Sequence, residues 1–309
     1  MNRKVLITTS SFDLENFYQL DDLTSAGFEV ILNPFGRRLS EHEVSDLLGN
    51  DIVGLIAGLE PLTARVLKNA GQLKVIARCG TGLDSVDVRV ARDQGISVFT
   101  TPDAPTTAVA ELTIAHILGL LRHVAESDRN IRAGRWTGLM GSLLKNKIIG
   151  IIGFGRIGQA VTKLVSAFDA KVIAFDTQTI SHPSVEQLPL DQLCARSDII
   201  SLHVPYSSES HHLINGNTLN RMKPTALLVN VSRGGLIDED ALCEALQNNR
   251  IAGAALDCFE VEPYSGPLLK FDNVHVTAHM GSYAHESRKQ MEIDASTALV
   301  QSLRKQGFL

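Results

Sequence analysis

The chain of 309 residues carries 29 Lys and Arg against 34 Asp and Glu, a formal net charge of −5, with 44% hydrophobic, 20% charged and 5% aromatic residues. These values fit an enzyme-sized globular protein of two domains, each large enough to bury a core, and exclude disorder. Mild acidity and few aromatics argue against a nucleic-acid partner, and no run approaches the roughly 18–20 apolar residues of a membrane span. The four cysteines, Cys79, Cys194, Cys243 and Cys258, form no C-x-x-C pair, so neither a zinc site nor a disulfide framework is expected. The N-terminus passes straight into an apolar run and then meets Asp13 and Glu15. That is unlike a secretory signal, so a cytoplasmic location is expected.

In chain order, short β-branched runs at residues 5–8, 29–32, 53–57, 74–78 and 97–100 alternate with helix-like segments. This rhythm predicts βα units and a parallel sheet. Residues 108–124 are apolar on nearly every face, which on a helix predicts burial all round, in a core or at a subunit contact. A second strand series follows at 147–152, 171–175, 198–202, 226–230, 252–256 and 274–277, and a helix-like run at 286–305 returns to the first series. The fold class predicted is α/β, with two Rossmann-like doubly wound parallel-sheet domains and a cleft between them. Residues 101–283 form the cofactor domain, and residues 1–100 with 284–309 form a discontinuous substrate-binding domain.

Gly153-Phe154-Gly155-Arg156-Ile157-Gly158 is a G-x-G-x-x-G, a weak signal alone. Here it follows a strand and opens an amphipathic stretch, the order that a dinucleotide site requires. Gly153 makes the tight turn, Gly155 admits a pyrophosphate, Gly158 lets helix and strand pack, and the helix N-terminus faces the anion. The next strand ends in Asp176, whose carboxylate suits ribose hydroxyls and repels a 2′-phosphate. Thr177-Gln178-Thr179 supplies no Arg for such a phosphate, so the cofactor expected is NAD.

Three further strand ends carry reactive side chains. Arg233 lies in Asn230-Val231-Ser232-Arg233-Gly234-Gly235, where the glycines free the backbone and leave the guanidinium open to a carboxylate. Glu262 follows the strand at 252–256, and His279 follows that at 274–277. Taken singly, Glu262 reads as a loop carboxylate and His279 as an imidazole bonded to backbone. Together with Arg233 they form an acid/base and carboxylate-binding set.

These segments resemble the NAD-dependent D-2-hydroxyacid dehydrogenases, especially the D-3-phosphoglycerate dehydrogenase-like branch. The likeness runs through residues 77–87, 108–112, Gly153 to Gly158, His203-Val204-Pro205, 230–235, 255–263 and Thr277-Ala278-His279. It implies that Arg233, Glu262 and His279 are the catalytic trio and that Gly80, Thr81 and Gly82, with Arg233, hold the substrate carboxylate. It implies cofactor contacts at Thr106, Gly153, Gly155, Arg156, Ile157, Gly158, Asp176, Val204, Pro205, Val231, Ser232, Asp257 and Gly281. The implied reaction moves a hydride between C2 of a 2-hydroxy or 2-oxo acid and nicotinamide, with His279 exchanging the proton and Glu262 holding its ring. Two positions depart from the pattern: Ala278 stands in place of Pro, and Ala57 in place of an Arg that would line a phosphate pocket.

The substrate implied is of the 3-phosphoglycerate kind. Reduction of glyoxylate, hydroxypyruvate or another small 2-oxo acid is the alternative, favoured by Ala57. An NAD(H)-sensing binding protein of corepressor type is the reading from a different class. The resemblance also implies a homodimer through the 108–124 helix. The thirty residues after His279 suggest that no serine-responsive regulatory domain follows. His203 is assigned no chemistry. His211, His212, His275 and His285 show no carboxylate or cysteine at ligand spacing, so no metal is expected. Trp136 is expected to be a packing anchor.

Overall fold

The computed structural model describes residues 3–9, 12 and 20–309; Asp13 and Glu15 lie outside them. The chain divides into two compact units, Met1–Pro105 with Ser282–Leu309, and Thr106–Gly281. Among the described residues, the first unit holds a parallel sheet of β1 (Lys4–Ile7), β2 (Glu29–Leu32), β3 (Ile52–Ala57), β4 (Val75–Arg78) and β5 (Ser97–Thr100), ordered β2-β1-β3-β4-β5. In this doubly wound order the switch point lies between β1 and β3. The helix His285–Lys305 returns to this sheet and packs Ala295, Leu299 and Leu303 against Val5, Ile7 and Val75.

The second unit holds β6 (Ile148–Ile152), β7 (Lys171–Phe175), β8 (Glu186–Gln187), β9 (Ile199–Leu202), β10 (Leu227–Asn230), β11 (Gly253–Leu256) and β12 (Val274–Val276). They run parallel in the order β12-β11-β10-β9-β6-β7-β8. Both faces are covered, which is why these strands read as continuous apolar runs rather than alternating ones. Leu227 and Val229 face a cluster with Ile149, Val161 and Val165, while Leu228 on the other face meets Leu193, Ile200 and Leu242. The chain reverses strand order between β6 and β9, the place where doubly wound sheets bind ligands.

The doubly wound parallel sheets match the predicted class, with three local corrections. The apolar run at 108–124 is not one helix. Its helix, Thr106–Leu121, ends where His123 takes a left-handed conformation (φ 53°), and Val124–Arg132 leaves at 63°. Nor is it buried all round, since Glu111 and Ala115 are exposed. Trp136 is no packing anchor: it is 90% exposed, and Met140 and Leu143 nearby are also exposed. The two-residue strand β8 is too short to leave a pattern in the sequence. No single described helix is long and apolar enough to cross a membrane.

Candidate active site

The cofactor loop is shaped by what its glycines exclude. Gly153, at φ 94°, turns the chain directly after β6, and a Cβ there would lie 2.7 Å from the His203 carbonyl carbon. A Cβ on Gly158 would strike the Gly153 carbonyl oxygen, whereas nothing approaches Gly155, which caps the helix Arg156–Ser166. Open space above Gly155 and the first-turn amides at Arg156 and Ile157 make a cradle for an anion. Val204 packs its side chain on Gly153 and accepts a 2.6 Å hydrogen bond from Ser232 Oγ, which ties the β9 and β10 loops together beside Pro205 and the buried Val231. Thr106 opens the helix Thr106–Leu121.

Asp176 follows β7 directly. Its Oδ2 accepts from the Phe154 amide at 2.7 Å and its Oδ1 from the Gln178 amide at 2.9 Å. The carboxylate is thereby aimed from the fingerprint turn and keeps lone pairs for hydroxyl donors. These features fit a dinucleotide without a 2′-phosphate. Asp176→Ala is expected to narrow the preference for NADH over NADPH about tenfold or more, equivalent to removing roughly 1.4 kcal/mol of repulsion. Equal wild-type kcat/KM values with the two cofactors would contradict this.

His203, after β9, donates or accepts at Nε2 with Ser201 Oγ at 2.9 Å, while its buried Nδ1 has no hydrogen-bond partner. Burial pushes this imidazole down to about 3. At pH 5 it is neutral in the native protein and protonated in the unfolded chain. Its contribution to stability is therefore full above about pH 6.5 and is lost as pH falls toward 3. His203→Asn is expected to shrink the drop in unfolding free energy between pH 8 and pH 5 by about 1–2 kcal/mol in urea titrations. An identical drop in variant and wild type would contradict the assignment.

The β10, β11 and β12 ends bring the reactive groups together. Gly234 lies so close to the Phe259–Glu260 peptide that a Cβ would collide with it, which seats the Arg233 loop against the 258–262 segment. Arg233 is held in extended conformation, its carbonyl accepting from Asn230 Nδ2 at 2.8 Å and its Nη1 donating to Ser232 O at 2.7 Å. Glu262 accepts from the Phe259 amide at 3.1 Å, and both its oxygens meet His279 Nδ1, at 3.0 and 2.9 Å. His279 itself sits in the left-handed region (φ 49°), uncommon for a residue with a side chain, so its surroundings must hold it there.

Asp257 supplies much of that hold. It is 1% exposed, accepts from the Met280 and Gly281 amides at 2.9 and 2.8 Å and from Thr277 Oγ1 at 2.6 Å, and its carbonyl accepts the His279 amide at 2.8 Å. Thr277 Oγ1 also lies 3.2 Å from His116 Nε2. The threonine proton is engaged with Asp257, so His116 donates through Nε2; burial holds its imidazole below the ordinary histidine range. Sequence reasoning missed His116, because nothing in the spacing joins residues 161 positions apart.

It also missed a second cluster. His212 Nε2 lies 2.5 Å from Glu260 Oε1, and His211 stacks on His212 at 3.8 Å. The expectation that these histidines lack a carboxylate partner is therefore wrong: Glu260 comes from another crossover, and the three are a group with metal-ligating atoms in mutual reach.

In the first unit, Gly80 follows β4, and its amide donates to Thr101 Oγ1 at 2.8 Å. Of the three loop residues that the resemblance assigns to a substrate carboxylate, Gly80 thus has its amide bonded to Thr101. At the ends of β1 and β3, Glu60 accepts from the Gly58 amide at 3.2 Å and from Thr8 Oγ1, and burial raises its carboxyl above the usual range.

Residues 114–281 match the family model of the D-isomer specific 2-hydroxyacid dehydrogenase NAD-binding domain. The chain belongs to the D-isomer specific 2-hydroxyacid dehydrogenase family. As a member it is an NAD-dependent oxidoreductase of 2-hydroxy acids. It is 42% identical to a glyoxylate reductase of Thermofilum pendens over 79% of this chain and 76% of that protein. It is 33% identical to a D-3-phosphoglycerate dehydrogenase of Synechocystis over 94% of this chain and 54% of that protein. Among solved dehydrogenase structures, the D-lactate dehydrogenase of Aquifex aeolicus complexed with NAD and lactic acid is similar at 26% identity and a TM-score of 0.84, covering 98% of this chain and 96% of that one.

Proposed function

We propose that the chain reduces a small unphosphorylated 2-oxo acid, of the glyoxylate or hydroxypyruvate kind, with NADH and catalyses the reverse oxidation with NAD. The observation that carries this reading is the bond of His279 Nδ1 to both oxygens of Glu262. It fixes the ring and leaves Nε2 to exchange a proton. The nicotinamide supplies or accepts the hydride. Arg233 binds the substrate carboxylate through two parallel hydrogen bonds and polarises the C2 carbonyl. His279 Nε2 gives its proton to the C2 oxygen in reduction and takes it in oxidation, and Glu262 balances the charge on the ring. Asp257 positions His279 through the Met280 and Gly281 amides.

The preference for a small substrate rests on the β3 end, where buried Ala57 stands in place of an arginine, and the cation opposite it on β4, Arg78, is itself buried, donates to Cys79 O and is attracted to the buried Glu60 carboxyl. A phosphate dianion needs a cation or several donors. The phosphoglycerate-type reading stands second, supported by the Synechocystis relative. In assays of NADH oxidation, kcat/KM for glyoxylate or hydroxypyruvate is expected to exceed that for 3-phosphohydroxypyruvate about tenfold or more, a difference of roughly 1.4 kcal/mol in transition-state stabilisation. The reverse order would favour the second reading.

The homodimer is part of the same proposal. Leu112, Ile114 and Leu118 on the helix Thr106–Leu121 are half-buried, and Trp136, Met140 and Leu143 are exposed. Apolar side chains so arranged suit a partner surface. Light scattering at micromolar concentration is expected to give twice the mass of one chain, and a fully active monomer would contradict it.

A further inference from the structure

Cys258 directly follows Asp257 and is almost fully buried, with its Sγ 3.3 Å from Ser232 O. Its sulfur, a Glu262 carboxylate oxygen and a His279 ring nitrogen all lie within 4.8 Å of one another. The His279 and Glu262 side chains are about one-quarter exposed, 25% and 24%, so the cluster is reached from their side. Thiolate, imidazole and carboxylate are a donor set that suits zinc. The 2.9 Å separation of His279 Nδ1 and Glu262 Oε2 is close to that of two ligands about 2.0–2.2 Å from one ion at a near-right angle. The sulfur, within 4.8 Å of both other ligand atoms, reaches its own zinc distance of about 2.3 Å by a side-chain movement.

We propose that Cys258, Glu262 and His279 form an inhibitory site for a thiophilic divalent cation such as Zn²⁺ or Cd²⁺. Binding releases the Cys258 thiol proton to solvent and moves the proton of the neutral imidazole from Nδ1 to Nε2. The metal then holds His279 in a form that cannot accept a proton at Nε2 and gives one up reluctantly, so turnover stops. The consequence for turnover rests on the roles proposed above for His279 and Glu262; the binding does not.

The other cysteines compete poorly. Among the described residues, neither Cys79, Cys194 nor Cys243 belongs to a group of three metal-ligating side chains, and the less buried Cys243 serves as the control. The test is a titration of the full chain with Cd²⁺, following the ultraviolet sulfur-to-metal charge-transfer absorption alongside NADH-dependent reduction. A saturable band is expected at one equivalent, present in Cys243→Ala and absent in Cys258→Ala. Inhibition should track the band, be reversed by a chelator, and require about tenfold or more additional metal in Cys258→Ala, whose activity without metal is retained. A band unchanged in Cys258→Ala overturns the site. Inhibition without a band does so too, placing the metal at nitrogen and oxygen ligands such as the His211, His212 and Glu260 cluster. A Cys258-dependent band with undiminished turnover upholds the site and overturns the catalytic assignment of His279 and Glu262.

Discussion

His279→Asn is expected to lower kcat for 2-oxo acid reduction by about 10²–10⁴-fold, the usual worth of a positioned general acid, with NADH affinity largely kept. His279 Nδ1 is occupied by the two Glu262 oxygens, at 3.0 and 2.9 Å, so proton exchange falls to Nε2, which Asn cannot replace. The cofactor cradle lies at the β6 and β7 ends, in other crossovers, so fluorescence titration of NADH should give a dissociation constant close to that of wild type. Glu262→Gln is expected to lower kcat by a smaller factor, since the amide still reaches the ring but carries no charge. A His279→Asn enzyme within threefold of wild type would remove the residue from the mechanism.

Arg233→Lys is expected to lower kcat/KM for the 2-oxo acid by about 10²–10³-fold, the scale of losing one preorganised donor to developing charge. Lysine keeps the charge, but it is a point donor on a flexible stem and cannot form the two parallel bonds that a planar guanidinium makes to a carboxylate. Gly234, packed on the Phe259–Glu260 peptide, fixes the backbone from which the side chain projects, so a shorter reach is not recovered by loop movement. Steady-state kinetics with glyoxylate would show the loss, and a Lys variant with wild-type kcat/KM would mean that charge alone suffices.

Much of this arrangement is written in local pattern. Parallel strands covered on both faces give apolar runs whose ends are marked by Gly, Asp or Asn, and eleven strands are legible in the sequence within a residue or so of their observed bounds. The fingerprint from Gly153 to Gly158 is equally local, because turn, cradle and helix start are consecutive residues. Arg233, Glu262 and His279 are legible as strand-end residues; that Glu262 and His279 touch follows from β11 and β12 being neighbours in the sheet.

What the sequence does not display are meetings that depend on which element lies next to which. The hydrogen bond from His116 to Thr277 joins a helix to the end of β12, and Glu260 reaches His212 across 48 positions. Spacing along one element says nothing of either. The break after Leu121 depends on a single left-handed residue, His123, whose side chain gives no periodic signal. Trp136 misled for a different reason: a large aromatic is normally buried, and its 90% exposure is a property of the whole surface.

The central claim is that this member of the D-isomer specific family moves a hydride between nicotinamide and C2 of a small 2-hydroxy acid, with one hand of substrate selected by Arg233 and His279 acting together. Reduction of NAD at 340 nm, a wavelength of about that value being the usual window for the reduced nicotinamide, with D-glycerate and L-glycerate as separate substrates tests it most directly. The account predicts turnover with D-glycerate and a rate lower by about 10²-fold or more with L-glycerate, whose C2 oxygen and hydrogen exchange places relative to the fixed groups. Turnover with L-glycerate alone, or equal rates with both, would contradict it.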